Sequence, residues 1–503
     1  MGRIMAKKML INAVEEEEYR VAILKDGFLD GFYIETTAAE QRIRNIYKGV
    51  VERIEPSLQA CFVNFGGDRN GFLQVSEVHP EYYLHKPEVS EEQTLPPVEK
   101  VMKEKQELLI QVTKEMPGRK GPHLTTYLSL ASRYLVLTPG KTTGGISKKI
   151  EDEKERLRLK SIMNQLTLPE GIGYIVRTAA LKQNKRVLSR DLGRLLRMWK
   201  DIRKRVKKAS APSLVHKEQD VCLRTLRDYF TSEIKEVLVD DKKTFFKVKD
   251  YMKVISPRHQ RHVRLYKQKR PIFAHYEIEK QIETIFGSEV PLKSGGSIVI
   301  DQTEALISVD VNSGRGRGEK NVESTAFRTN LEAASEIARQ LRLRDIGGLV
   351  VIDFIDMRDK KHIREIERLF REKTKEDRAK IDISHISKFG LLELSRQRLR
   401  PSIESSSYQI CSYCQGRGLV LSIESAAVSF LRKIWMGMSR EGIAEVQGVL
   451  PLEVSSYLQN KKRKELAELE SRYGVNIVLR SDPSLPPGGG KLEFVKENDA
   501  IAS

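Results

Sequence analysis

Two strand-like runs decide the reading of this chain: Ser297–Asn312, SIVIDQTEALISVDVN, and Leu349–Met357, LVVIDFIDM. Between them, Thr325–Arg344 carries Phe327, Leu331, Ala334, Ala338 and Leu341 at heptad-like spacing, which predicts a helix ended by Gly347-Gly348. Strand, helix, strand is a βαβ unit, so the two strands should run parallel with a right-handed crossover. Parallel strands bring their C-terminal ends to one edge, where ligands bind. Asp310 and Asp353 lie at those ends, and alternation puts Asn312 on the same face as Asp310.

Two carboxylates converging with an amide suit a magnesium ion that keeps several waters and meets a phosphate. Such an ion can polarise a phosphodiester and activate water. Strand-end Asp and Asn are also common turn formers, and spacing alone leaves both readings open. Asp356 ranks second as a ligand, because alternation turns it away from Asp353. Arg315 and Arg317, in the glycine loop Gly314–Gly318, can bind phosphate or be plain loop charges.

Working outward, Leu10–Glu35 alternates well enough for two or three strands around the turn Lys25-Asp26-Gly27. From Asn45 to Val78 the strands are short and broken by glycines (IYKGVVERI, QACFVNFGG, RNGFLQV), and LLIQVTKE follows, which suggests a small barrel. Phe62 and Phe72 fall on its strands, with Arg69 nearby and Lys120 in a later loop. A barrel of this kind holds single-stranded nucleic acid by stacking bases on exposed aromatics and tracking phosphates with Lys and Arg. The plain alternative is that both phenylalanines are core. The strand-glycine-F(V)-x-x-G pattern followed by GFL resembles an RNA-binding OB domain first described in a ribosomal protein. Helices are expected at Leu157–Leu166 and Leu192–Val206, and a helix-rich stretch from Ser213 to about Arg270.

The 503 residues carry 88 Lys+Arg against 69 Asp+Glu, a net charge of +19 that favours a polyanionic partner, nucleic acid first. The cations are bunched at Lys200–Lys208, Arg258–Arg270 and Lys461–Lys464. With 40% hydrophobic and 31% charged residues the chain is neither disordered nor collagen-like. No apolar run approaches the roughly 18 residues of a membrane span. Met1–Lys8 leads straight into strand pattern without a secretory apolar segment, and Ala6 stands where myristoylation wants Ser or Thr. Four cysteines make no disulfide framework, so a reducing cytoplasm is expected.

Cys411-Ser412-Tyr413-Cys414-Gln415-Gly416-Arg417-Gly418 is a C-x-x-C-x-G-x-G knuckle. Its glycines let backbone amides point at thiolates, as in structural zinc sites. A redox pair would want a helix starting at the first Cys. Structural zinc needs four ligands, so two chains would each supply two across a two-fold axis. Redox and purely structural roles remain the alternatives. Cys61 and Cys222 read as ordinary buried residues.

MLINA near the start, the barrel, IVRTA, SGGSIVIDQTEAL, SVDVNSG, TNLEAASEIARQLRLRDIGGLVVIDFIDM, ISHISKFGLLELSRQR and CSYCQGRG together resemble the ribonuclease E/G family, from about residue 8 to 425. Because the chain stops at residue 503 without a long scaffold tail, the expected likeness is to the ribonuclease G branch. The resemblance implies a multidomain α/β mosaic. A ribonuclease-H-like domain (1–40 with 221–285) is split by an OB-fold RNA-binding domain (41–126), followed by a 5′-sensor region (127–220). A DNase-I-like catalytic domain (286–407), a zinc link (408–422) and a small α/β dimerisation domain (423–503) complete it.

The resemblance also implies roles. Asp310 and Asp353 match the magnesium ligands and Asn312 the catalytic asparagine; Phe62, Phe72 and Lys120 match the RNA-holding residues. Arg177, Thr178 and Val136 match a 5′-monophosphate pocket, with two departures: Ser132 where ribonuclease E has glycine, and Lys380 where it has arginine. Lysine lacks the planar fork of arginine. The implied function is metal-dependent single-strand endoribonuclease action, preferring 5′-monophosphate ends, in rRNA and tRNA processing and mRNA decay. Catalytic magnesium, structural zinc shared between two chains, single-stranded RNA and a homodimer or tetramer come with it. The alternative is a non-catalytic RNA-binding factor or chaperone on the same fold; the intact Asp310, Asn312 and Asp353 favour the enzyme.

Overall fold

The computed structural model describes residues 7–36, 42–85, 96–115, 121–303, 305–314, 322–398, 403, 408, 411–440, 442–486 and 488–496. The chain forms two units, Met1–Ser406 and Ser407–Ser503.

The first unit opens with three antiparallel strands, β1 (Lys7–Asn12), β2 (Glu18–Lys25) and β3 (Phe28–Thr36). Asp26 and Gly27 join β2 to β3 with φ of 53° and 84°, the paired left-handed conformations of a tight hairpin. Successive residues of β1 enter two different cores, Met9 and Ile11 on one face and Leu10 on the other, so the centre of this strand is apolar on both faces.

The chain then leaves this sheet for a barrel of β4 (Ile46–Glu55), β5 (Ala60–Asn64), β6 (Gly71–Gln74), β7 (Glu107–Lys114) and β8 (His123–Thr125). Strand β4 pairs with both β5 and β7, which closes the sheet on itself. Val51, Cys61, Val63, Phe65, Leu73, Ile110 and Val112 fill the interior. Burial pushes the Cys61 thiol up to about 11, which keeps it inert.

A four-stranded sheet follows, ordered β11-β12-β10-β9, from β9 (Leu130–Ala131), β10 (Leu135–Pro139), β11 (Gly144–Ile146) and β12 (Ile172–Val176). The helix Lys185–Lys208 packs on it through Leu188, Leu192, Leu195 and Ile202. This helix contains the expected Leu192–Val206 segment. It starts earlier because the Asn184 side chain accepts the Val187 N–H at 3.1 Å. The Leu157–Leu166 expectation corresponds to the helix Glu153–Asn164.

Strand β13 (Ser213–His216) returns to the barrel beside β4, and β14 (Ile234–Val239) with β15 (Val263–Leu265) returns to the first sheet, ordered β15-β14-β1-β2-β3. The sequence pattern predicts a helix-rich stretch here. Helices Val221–Tyr229 and Lys242–Ile255 are present, but β14 and β15 lie between and after them. They were missed because β14 is a short parallel strand whose last three residues are all buried, and it lacks the alternation of a half-exposed strand.

The last sheet of this unit is ordered β16-β17-β18-β19-β21-β20, from β16 (Glu289–Pro291), β17 (Ser297–Gln302), β18 (Ile307–Asn312), β19 (Gly348–Asp353), β20 (Ile381–Ile383) and β21 (Leu391–Arg396). Strands β18 and β19 are parallel, as the βαβ reading requires, and the helix Val322–Leu343 connects them. Its Ala333, Ala334, Ile337, Ala338 and Leu341 meet Val309, Val311, Val350 and Ile352, with Ile366 and Phe370 of the helix Lys360–Thr374 beside them. Below this core, the buried Arg396 guanidinium is paired with Asp345 at 3.0 Å and Asp377 at 2.8 Å.

The second unit is a three-stranded sheet, β23-β22-β24, of β22 (Ile443–Leu450), β23 (Asn476–Ser481) and β24 (Lys491–Lys496). Helices Ile423–Met438, Leu452–Lys461 and Arg463–Tyr473 accompany it, and Phe430, Ile434, Val446, Leu450, Val454 and Leu458 form its core. Among the described residues no helix is long and apolar enough to cross a membrane.

Candidate active site

The strand register sets one transverse row across the last sheet of the first unit: Val299 pairs with Asp310, Asp310 with Asp353, and Asp353 with Leu391. Val309, Val311 and Ile352 point into the helix-covered core, so Asp310, Asn312 and Asp353 share the opposite, open face. Two carboxylates directly opposed on neighbouring strands repel each other. Accordingly, partial burial together with the Asp310 and Asp356 charges holds the Asp353 carboxyl above the usual carboxylate range. The Asn312 amide donates to Asp310 Oδ2 at 2.9 Å, which orients that carboxylate and leaves the amide a second N–H. Among the described residues, no Lys or Arg pairs with Asp310, Asp353 or Asp356.

Asp356 corrects the sequence reading. Alternation was expected to turn it away from Asp353, but β19 ends at Asp353 and the period-two rule ends with it. Beyond that end, the Asp356 charge is among the causes that hold the Asp353 carboxyl up, after burial and Asp310. Arg315 and Arg317 lie outside the described residues. Among the described residues, no group of three or more His, Cys, Asp or Glu side chains is arranged to hold a metal.

The sequence reading missed what holds this corner in place. Asn330, fully buried in the helix Val322–Leu343, donates to the Ile355 carbonyl at 2.8 Å and accepts the Ile355 N–H at 3.1 Å. Two turns earlier on the same face, Glu323 accepts the Arg358 N–H at 3.1 Å and the Asp359 N–H at 3.1 Å. Those bonds, with His362 Nδ1 at 3.1 Å, keep the Glu323 carboxyl below its ordinary range. Phe327 sits between the two on the helix, stacked on His362 with ring centroids 4.1 Å apart. The segment after Asp353 is thus fastened at both ends to one face of the crossover helix. A poor helix former such as asparagine in mid-helix was the available signal.

On the barrel a second row crosses the strands: Arg53 pairs with Phe62, Phe62 with Phe72, and Phe72 with His123. Phe62 and Phe72 stay outside the barrel core, half-exposed. Their ring centroids are 5.8 Å apart, His123 lies 5.2 Å from Phe72, and the Arg53 guanidinium lies 5.0 Å from Phe62. Arg53 and His123 escaped the sequence reading because only the barrel register aligns them. Lys120 lies outside the described residues.

Arg177, Thr178 and Lys380 line one cavity of about 1170 Å³, together with Arg44, Arg224 and Arg371. Arg177 donates to Asp228 at 2.6 Å and to the Ser132 carbonyl at 2.6 Å. Asp228 also pairs with the buried Arg227, and the two arginines hold its carboxyl far below the usual range. Val136 and Ser132 do not line the cavity. The Ser132 N–H is already given to the Leu135 carbonyl at 2.8 Å, and its hydroxyl donates to Asp191 at 2.5 Å. Lys380 is exposed and paired with Asp382 at 3.1 Å.

In the second unit, the Cys411 carbonyl accepts the Gln415 N–H at 2.8 Å, and the Cys414 carbonyl accepts the Arg417 N–H at 2.9 Å. The Gly418 and Gly416 N–H groups lower the Cys414 thiol pKa. No helix starts at Cys411; the next begins at Ile423, which argues against a redox pair. Cys61 and Cys222 are both buried, as expected.

These features define a multidomain α/β protein with a barrel, an open-faced carboxylate sheet and a small α/β unit. The ribonuclease E/G family model matches residues 129–399, and the model described as the RNase E/G thioredoxin-like domain matches residues 410–493. Ribonuclease E of Haemophilus influenzae is 46% identical over 480 residues, which cover 95% of this chain and 51% of that protein. Ribonuclease E of Escherichia coli is 46% identical over 476 residues, 94% of this chain and 44% of that protein. Ribonuclease G of Escherichia coli is 34% identical over 479 residues, 95% of this chain and 98% of that protein. The chain belongs to the ribonuclease E/G family, and it spans about half the length of the ribonucleases E it matches. The expected closeness to ribonuclease G is not confirmed, since identity is higher to these ribonucleases E.

Replacing Asn330 with alanine strips both Ile355 backbone groups of their side-chain partner. Asn330→Ala should therefore lower the unfolding free energy by about 2–4 kcal/mol in urea titrations. Glu323→Gln keeps an acceptor for the Arg358 and Asp359 amides and should cost about 1 kcal/mol or less.

Proposed function

We propose that this chain is a metal-dependent endoribonuclease that hydrolyses phosphodiesters of single-stranded RNA in the cytoplasm, in rRNA and tRNA processing and mRNA decay. The observation that carries the proposal is the direct pairing of Asp310 with Asp353 on one open face, with Asn312 bonded to Asp310. The split first sheet fits a ribonuclease-H-like domain, the closed barrel an OB domain, and the carboxylate sheet a DNase-I-like domain.

Asp310 and Asp353 would hold magnesium, which supplies charge neutralisation at the phosphate and activation of water. Their mutual repulsion fits such an ion, because a cation between them removes it. The spare Asn312 N–H is available to a phosphate oxygen. Arg53, Phe62, Phe72 and His123 offer bases a stacking row flanked by a cation, which suits single strands and disfavours paired ones. A non-catalytic RNA-binding factor would have no need of two facing carboxylates that, among the described residues, no Lys or Arg pairs with.

The experiment that tests this is magnesium-dependent cleavage of a labelled single-stranded RNA. Asp310→Asn and Asp353→Asn should each abolish cleavage and leave RNA affinity nearly unchanged. Because each removes a repulsion, melting temperature should hold or rise, and the magnesium-induced rise in melting temperature should vanish. An unmutated protein that binds RNA yet cuts none with magnesium would be the RNA-binding factor instead.

The cavity around Arg177, Thr178 and Lys380 is proposed to receive a 5′-monophosphate, with its lining arginines supplying the field. Arg177 is presented by Asp228 and by the Ser132 carbonyl, so a structural pairing and a phosphate contact coexist on one guanidinium. RNA with a 5′-monophosphate should be cut faster than the same RNA with 5′-hydroxyl or triphosphate. Arg177→Ala should erase that advantage in matched initial-rate assays and preserve cleavage of the hydroxyl form.

Cys411 and Cys414 provide half a tetrahedral zinc set, and a second copy of the chain is proposed to provide the rest, as a homodimer that can pair further into a tetramer. Elemental analysis should give one zinc per two chains. Cys414→Ser should shift the protein to monomers in light scattering; one zinc per chain, or an intact dimer without zinc, would overturn the shared site.

A further inference from the structure

The turn entering β21 reads Ser387-Lys388-Phe389-Gly390, and Phe389 at its tip is 72% exposed. A large ring left in water forgoes the free energy its burial would give. The turn is nevertheless tightly built. The Ser387 N–H donates to the Leu391 carbonyl at 2.8 Å, the Gly390 N–H to the Ser387 carbonyl at 3.0 Å, and the Phe389 N–H to Ser387 Oγ at 3.2 Å. Just before it, the Ile386 N–H donates to the Glu367 carboxylate at 2.7 Å, while Ile386 packs on the sheet core. The phenyl ring is therefore held out on a fixed support.

Its position is specific. Leu391, two residues on, is the register partner of Asp353. Gly390 has φ of 80°, and a Cβ there would stand 3.4 Å from the Asp356 carboxylate oxygen. Phe389 thus stands one residue from the carboxylate corner. The Lys388 ammonium lies 5.0 Å from the centre of the same ring. An aromatic face with an adjoining cation is the pair of contacts that a single-stranded nucleotide uses, base on ring and phosphate on charge.

We propose that Phe389 is a base-stacking position for a nucleotide of the RNA strand beside the phosphate to be cleaved at the Asp310–Asp353 face, with Lys388 on that nucleotide's phosphate. This rests on the function proposed above for the carboxylates. It adds a second stacking site to the barrel row, placed at the point of cleavage, and makes Phe389 a determinant of which bond is presented. One exposed ring offers too little area for a stable protein contact, whereas it matches the area of one base.

The test uses the full chain and a single-stranded RNA cut at one known bond, prepared also as a series with one abasic nucleotide at each position near that bond. Phe389→Ala should lower kcat/KM on the intact RNA about tenfold, within the range for one lost stack. Phe389→Tyr should restore it and Phe389→Leu should not. One abasic position should remove the difference between the unmutated protein and Phe389→Ala, and the others should preserve it. Phe389→Trp in an Asp353→Asn background should lose tryptophan fluorescence on binding the intact RNA, beyond any change in Asp353→Asn alone. Equal rates for Phe389→Ala and the unmutated protein, or abasic losses that add at every position, would overturn the stacking site. Cleavage surviving in Asp353→Asn would overturn the carboxylate assignment instead, and the fluorescence result would still report on Phe389.

Discussion

The parallel pairing of β18 with β19 is the constraint on which the rest of the carboxylate sheet depends. Parallel neighbours cannot be joined by a tight turn, so the chain must cross over, and it does so through the helix Val322–Leu343. That helix buries its alanine-rich stripe on one face of the sheet and thereby leaves the other face for polar residues. The pairing also sets Asp310 opposite Asp353 with no freedom to drift apart. A repulsion that would ordinarily spread two carboxylates is locked in by backbone hydrogen bonds. The crossover helix has a second use, because its Glu323 and Asn330 carry the backbone that leaves β19.

Elsewhere, several buried charges are held in pairs. Arg396 meets Asp345 and Asp377, Arg227 meets Glu218 and Asp228, and Asp228 is shared with Arg177. Such pairs hold position more than they add stability, since desolvation offsets most of the attraction. Arg177 is the informative case. Its orientation is determined by groups that are already neutralising it, which gives a cationic surface that does not wander.

What could be read from the sequence follows from how local the governing physics is. That Asp310, Asn312 and Asp353 share one face was legible because alternation within a strand and the handedness of a crossover are short-range rules. The same alternation misplaced Asp356, because a sequence shows apolar period but not the residue at which a strand ends. Phe62 and Phe72 were readable from the glycine-broken strands, whereas Arg53 and His123 join them only through a register set by distant turns. Strands β14 and β15 were lost inside a helical stretch, since β14 ends in a buried run without alternation and β15 has only three residues to show any. Ser132 could be aligned with a phosphate-binding position, yet only coordinates reveal that its N–H is already committed to Leu135. The choice between branches of the family rested on chain length, while the residues themselves match the ribonucleases E more closely than ribonuclease G.

The return of β14 to β1 has a consequence for how the chain is made. Strand β1 pairs with β2 at once, but its other edge waits for β14, and residues 37–233 must be translated in between. At about 5–20 residues per second that is an interval of roughly 10–40 s on the ribosome. Throughout it, Met9, Leu10 and Ile11 sit on an open edge with both faces apolar, the arrangement most prone to pairing with a stranger. The nascent barrel, with its own closed core, can form within that interval. A strand made early in this unit thus waits through the whole barrel and the sheet after it for its second neighbour, and a chaperone that guards newly made edges would find its client there.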